Sequence, residues 1–262
     1  MNIIMTDTLS CKDRGLQYGD GFFTTVQIKA GQLALWSLHI QRLQQCQQRL
    51  GFPAFNWQEL TDYCVEVAKT HQQAVLKVII TRGVGGRGYT PPVKVTPTVT
   101  VSVSEFPMHY TQLSQTGLCL GVSNIRLGHQ PLLAGLKTLN RLEQVLIKQD
   151  AMQFSDDDVV VMDIDNHVVE TSVGNIIGYQ EGEFYTPRLD KCGIEGVYLK
   201  HLAQHNLIKP TQIKLEQLLE MDAVVVCNSL MECMPVSQLG EKAYDLDIVF
   251  GAIRKLNNKV QS

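Results

Sequence analysis

Five segments of this chain carry residue types that can do chemistry. In LAGLKTLNRLEQVLIKQ, Lys137 follows Leu133, Ala134 and Leu136. Apolar surroundings disfavour an ammonium and leave a usable amine; taken alone, the segment reads more readily as a surface lysine, its stem on apolar neighbours and its head in water. In NHVVETSVGNIIGY, Glu170 closes a strand. A carboxylate there can keep a pyridine-type nitrogen protonated, or be a solvated strand end. KCGIEGVYLKHL puts glycine and two backbone amides at a helix start, where free N–H groups and the positive dipole end suit a phosphate; an ordinary glycine-bounded helix start reads the same way. ITRGVGGRGY lacks the lysine and hydroxyl of a P-loop. It can present Arg87 and Tyr89 to a carboxylate, which a guanidinium meets as a fork, or be a hairpin loop with exposed arginines. His201 and His205 stand one helical turn apart in HLAQH, but the glutamate of HExxH and a third ligand are missing, so no metal is expected. There is no GxSxG elbow and no Ser/His/Asp order.

The elements that must position these residues follow from periodicity. Strands are expected at Phe22–Lys29, Ala74–Thr81, Thr98–Glu105, Leu118–Val122, Asp158–Asp163, His167–Glu170, Asn175–Tyr179 and Ala223–Cys227. Helices are expected at Leu38–Leu50, Trp57–Lys69, Asn140–Phe154, Glu195–Asn206 and Asp245–Asn258, with Leu139, Leu142, Val145 and Leu146 as the apolar stripe of the third. Strict βαβα alternation is absent, which makes the class α+β. The polar stretch FPMHYTQLSQTG falls between strand groups. It divides a smaller domain, 1–106, from a larger one, 118–262, with 107–117 as linker.

With 262 residues, 44% hydrophobic and 19% charged, the chain is an ordinary globular one with room for two cores. A net charge of −3 gives no reason to expect nucleic acid or an acidic membrane. No apolar run reaches the span of a bilayer, and MNIIMTDTLSCKDRG has no signal-peptide h-region. Seven scattered cysteines without a CxxC pair read as reduced thiols in a cytoplasmic protein.

In order, RGLQYGDGFFTTV (14–26), HIQRL (39–43), TRGVGGRGY (81–89), LAGLKTLNRLEQVL (133–146), VVETSVGNII (168–177), GIEG (193–196) and CNSLMECMPV (227–236) resemble the fold-type IV pyridoxal 5'-phosphate (PLP) family. That family holds branched-chain aminotransferases, D-amino acid aminotransferases and aminodeoxychorismate lyases, and GDGFFTT, GGRGY and KTLNRLEQVL most resemble the lyase branch. The resemblance implies two α+β domains with PLP in the cleft between them and a homodimer. It implies Lys137 as the Schiff-base lysine, Glu170 as partner of the pyridine nitrogen, and Arg42, the amides of Ile194 and Glu195, and Ser229 around the phosphate. D-amino acid aminotransferases carry a tyrosine where Phe23 stands, and a histidine two residues after the arginine, where Tyr89 stands. Arg87 is kept and is the candidate for a substrate carboxylate, with Phe23 and Tyr89 beside it in role.

The expected reaction converts 4-amino-4-deoxychorismate to 4-aminobenzoate and pyruvate. A D-amino acid or branched-chain aminotransferase would share Lys137, Glu170 and Arg42. A non-catalytic phosphate- or nucleotide-binding module built on GVGGRG would leave those three without a role. For a second substrate carboxylate, Arg82, Arg126 and Arg141 are all open.

Overall fold

The computed structural model describes residues 4–258. The chain forms two compact units, Met1–Phe106 with Leu136–Arg141, and Pro107–Gly135 with Leu142–Ser262. In the first unit the elements run β1 (Ile4–Met5), α1 (Arg14–Tyr18), β2 (Gly21–Lys29), β3 (Gln32–Leu33), α2 (Trp36–Arg49), α3 (Trp57–Lys69), β4 (Gln73–Thr81) and β5 (Thr98–Ser104). The strands make one sheet, ordered β1-β5-β4-β2-β3, antiparallel except where β1 meets β5. The β2–β4 register sets Phe22, Val26 and Ile28 opposite Ile80, Leu76 and Ala74. Side chains alternate along a strand, so these share one face. They pack with Leu43 and Cys46 of α2 and with Leu60, Cys64 and Ala68 of α3, spaced as one side of each helix. Asn56 caps α3 by accepting from the Glu59 amide at 3.3 Å.

In the second unit the elements are α4 (His109–Thr116), β6 (Leu118–Leu127), α5 (Leu142–Ala151), β7 (Asp158–Asp163), β8 (Val168–Thr171), β9 (Asn175–Gln180), β10 (Glu183–Pro187), α6 (Val197–His205), β11 (Ile208–Thr211), α7 (Leu215–Glu220), β12 (Ala223–Asn228), β13 (Glu232–Leu239), β14 (Lys242–Ala243) and α8 (Leu246–Asn258). Their sheet runs β11-β10-β9-β12-β13-β6-β7-β8, with β14 added to β13. The apolar runs of β7 and β12 are buried along nearly their whole length, as expected of central strands covered on both faces. Antiparallel pairs predominate and helices do not alternate with strands, so the class is α+β.

Three local expectations change. Residues 107–117 contain a helix, α4, that packs against β13 within the second unit. Residues 136–141, counted with the larger domain from sequence, group with the first unit because Leu136 joins its core. The stripe expected on the third helix does not face a core: Leu139 precedes α5, Leu142, Val145 and Leu146 are exposed, and Ile147 and Asp150 are the buried residues. Polar bonding sets that rotation. The Asp150 carboxylate accepts from Ser123 Oγ (2.9 Å), the Asn124 amide (2.8 Å) and Asn124 Nδ2 (3.1 Å) beside β6. These bonds hold its carboxyl below the ordinary range against the upward push of desolvation. Among the described residues no helix is long and apolar enough to cross a membrane.

Ile147→Ala should therefore lower unfolding free energy by about 2–5 kcal/mol. Leu142→Ala, at a position 71% exposed, should cost less than about 0.5 kcal/mol. Urea denaturation of both variants checks the rotation assigned to α5.

Candidate functional site

In the first unit, residues 136–141 lie along β2 as an added strand. Phe23 N donates to Lys137 O at 3.0 Å, Leu139 N donates to Gly21 O at 2.9 Å, and Phe22 bridges Thr138. Leu136 and Thr138 are buried and Lys137, between them, is half-buried. Its Nζ stands 4.8 Å from the centre of the Phe23 ring, with Lys77 Nζ 5.0 Å from the same ring. The surface under Nζ is thus an aromatic face supplied by β2, whereas the sequence neighbour Leu136 points into the core. From α2, the Cys46 thiol, pushed up by burial, accepts from the Lys137 main-chain N–H.

Arg42 sits four residues before Cys46 on the buried side of α2. Among the described residues its guanidinium bonds to Thr24 Oγ1 and, at 3.4 Å, to His39 Nδ1, and no carboxylate pairs with it. Its Nε is buried without a partner. Burial brings its pKa down to about 10, so it stays charged at neutral pH. Since Arg42 donates to Thr24, the Thr24 hydroxyl can donate to His39 Nδ1, 2.6 Å away. Burial, then the neighbouring Arg42 charge, hold His39 well below the ordinary histidine range, so it is neutral. A desolvated cation without an acidic partner is costly unless an anion meets it, and this one fits a phosphate.

The second unit holds the other candidates. Glu170, 7% exposed, is the penultimate residue of β8. Its Oε2 accepts from Ile194 N at 3.0 Å. Glu195 N donates to Gly135 O at 3.1 Å, and Gly135 N to Gly193 O at 2.9 Å. The two amides expected to face a phosphate therefore have protein acceptors here, and the first-turn amides of α6, from Val197 on, are those left without an i−4 carbonyl. Gly193 has φ +82°, and a Cβ there would meet Val169 Cγ1 at 2.6 Å, so the turn needs glycine. Asn175 spans the turn: its Nδ2 donates to Ile194 O (2.8 Å) and its Oδ1 accepts from Gly196 N (3.0 Å). Ser229 begins the β12–β13 turn, whose Leu230 and Met231 amides donate to Asn228 Oδ1 at 2.8 and 2.9 Å.

Arg87 and Tyr89 are exposed on the glycine-rich loop, Tyr89 to 85%, and Phe23 is half-buried. Arg82 drops out as a substrate arginine. Its Nε donates to Asp20 at 2.9 Å, its other nitrogens donate to Leu50 O and Gly51 O, and its guanidinium lies 4.0 Å from the Phe52 ring centre. Arg126 donates to Ser123 O, and Arg141 to Thr138 Oγ1. Thr24, His39, Cys46 and the clamping role of Asn175 carried no signal in the sequence, because each acts through a pairing that only the fold creates.

The chain matches the Amino-transferase class IV family over residues 21–239. It is 37% identical to an aminodeoxychorismate lyase from Vibrio harveyi, covering 95% of this chain and 93% of that one. A D-alanine aminotransferase from Staphylococcus epidermidis is 24% identical, covering 90% and 86%. The structure of 4-amino-4-deoxychorismate lyase from Pseudomonas aeruginosa superposes with a TM-score of 0.86 at 33% identity, covering 95% and 96%. A branched-chain aminotransferase from Escherichia coli shares the fold, with a TM-score of 0.85 at 17% identity over 96% and 89%. With the family matched over most of its length, the chain belongs to the class IV amino-transferases and has the fold-type IV architecture.

Proposed function

We propose that this protein is a PLP-dependent lyase that converts 4-amino-4-deoxychorismate to 4-aminobenzoate and pyruvate. The observation that carries the lyase branch is the 37% identity to the Vibrio harveyi lyase along 95% of the chain, against 24% for the Staphylococcus epidermidis D-alanine aminotransferase. The residues present fit the cofactor. Arg42 is a buried cation with no acid beside it among the described residues, Glu170 is a buried carboxylate whose Oε2 accepts from the Ile194 amide, and Lys137 is a primary amine fixed through its main chain.

In this proposal Lys137 holds PLP covalently, Arg42 and Ser229 hold its phosphate with the free first-turn amides of α6 that follow the GIEG turn at Ile194 and Glu195, and Glu170 keeps a proton on the pyridine nitrogen. When bound, PLP supplies an electrophilic carbon that primary amines join and a ring that accepts an electron pair. Lys137 Nζ takes the proton from C4 of the substrate ring and returns one to the methylene carbon of the departing enolpyruvyl group, which leaves as pyruvate. The two products together contain every atom of the substrate, so neither water nor a keto acid is consumed. Arg87 meets a substrate carboxylate, with Tyr89 and Phe23 shaping its approach. Like other parts of this assignment, a homodimer in the cytoplasm is proposed on the family resemblance.

Incubation with aminodeoxychorismate, made in place from chorismate by its synthase, should release equal amounts of 4-aminobenzoate and pyruvate. Lys137→Ala should lower turnover at least about 10³-fold; amino transfer to a keto acid without 4-aminobenzoate would favour an aminotransferase instead. Arg42→Ala should weaken PLP binding about 10- to 100-fold in a titration, while leaving the affinity for pyridoxal, which lacks the phosphate, within about twofold. Glu170→Gln should reduce turnover more than it reduces PLP affinity, read from the same titration and the rate assay. Gel filtration of the PLP-loaded protein should show a dimer, and a stable, active monomer would contradict the proposed assembly.

A further inference from the structure

The glycine-rich loop is organised around a residue with no role so far. Arg14, at the start of α1, is 2% exposed. Its Nε donates to Asp20 Oδ2 at 2.8 Å, Nη1 to Gly88 O at 2.9 Å and, at 3.4 Å, to Thr90 O, and Nη2 to Tyr89 O at 2.9 Å. The guanidinium carbon lies 4.8 Å from the Tyr18 ring centre. Tyr18 Oη accepts from Gly88 N at 3.2 Å, and the Tyr18 and Tyr89 rings meet edge to face at 5.5 Å. Asp20 is shared with Arg82, which anchors it from the other side.

Three successive carbonyls turned toward one guanidinium demand an unusual backbone, and the glycines supply it. Gly88 has φ +92° and Gly83 φ +83°; a Cβ at 83 would stand 2.0 Å from Thr96 O. Gly85 serves another purpose: a Cβ there would lie 2.6 Å from Arg14 Cδ and 2.9 Å from Cγ, so its missing side chain makes room for the arginine stem. A planar, five-donor fork meets the Asp20 carboxylate and all three carbonyls at once, four acceptors where an ammonium has three donors.

We infer that Arg14 is a positioning residue, which fixes the backbone at Gly88–Thr90 and thereby presents Arg87 and Tyr89 to the substrate; this rests on the proposed assignment of Arg87 to a substrate carboxylate. Arg14 acts through the loop and not on the reacting atoms, so its loss should appear in KM.

The test is steady-state kinetics on aminodeoxychorismate with PLP-loaded protein, PLP content being measured by absorbance in every variant. Arg87→Gln and Arg14→Ala should each raise KM about tenfold, with kcat within about twofold and PLP content unchanged. The double variant should be no worse than Arg87→Gln alone, and Arg14→Lys should not restore KM, because one ammonium nitrogen with three donors cannot meet the Asp20 carboxylate and the three carbonyls together. Gly85→Ala should raise KM where Arg14 is present and leave it unchanged in the Arg14→Ala background. If Arg87→Gln raises KM and Arg14→Ala does not, the inference is overturned and the assignment of Arg87 stands. If Arg87→Gln leaves KM unchanged, that assignment falls and this role of Arg14 falls with it. Should Arg14→Ala fail to fold, Gly85→Ala decides: an unchanged KM there overturns the inference.

Discussion

Two main-chain hydrogen bonds, Phe23 N to Lys137 O and Leu139 N to Gly21 O, decide which way residues 136–141 face. In an extended segment a slip of one residue exchanges the two faces. It would carry Lys137 into the position of Leu136, in the core with Phe22 and Leu76, where an ammonium without a partner is strongly disfavoured. The register is therefore enforced by the core as much as by the ladder. Gly21 belongs to the same constraint, since a Cβ there would lie 2.5 Å from Ile80 O and 2.7 Å from Leu139 Cδ1. In the proposed role as the cofactor lysine, a side chain on a strand held this closely loses little freedom when it meets its partner.

The buried charge of Arg42 is the counterpart of that ordered lysine. Thr24 and His39 orient the guanidinium, and among the described residues no carboxylate compensates its charge. Neutral His39 adds no second positive charge, because burial keeps it unprotonated. The folded protein thus carries an electrostatic cost that a bound dianion offsets, and any such ligand stabilises the fold in proportion to its occupancy. On the proposed assignment that coupling would account for an arginine on the apolar side of α2, a place where the periodicity of the helix alone would call for leucine.

Much of this was legible in the sequence, for reasons that differ between elements. The strands β2, β4, β7 and β12 and the helices α2, α3 and α8 announce themselves because burial on one or both sides writes its own period into the chain. β10, β11 and β13 did not, since Pro187, Pro210 and Pro235 and the polar residues around them resemble loop composition. The apolar residues of α5 mark its position but not its rotation, because its orientation comes from the Asp150 carboxylate. Lys137, Glu170 and Arg42 stood out through motif order, whereas their supports, Cys46, Asn175, Thr24 and His39, are visible only once distant segments are paired.

The glycine-rich loop shows how composition can point to the opposite polarity. A phosphate-binding loop turns its N–H groups inward to meet an anion. Here Gly88, Tyr89 and Thr90 turn their carbonyls inward to meet the Arg14 cation, and the Gly88 amide is engaged by Tyr18. Both arrangements need glycine, because both bring backbone close to a charged group and require left-handed φ values. Glycine content therefore specifies a close approach to charge but not its sign. The sign comes from what lies opposite, which here is a buried arginine held by Asp20, and that is why the loop presents side chains outward instead of enclosing a nucleotide.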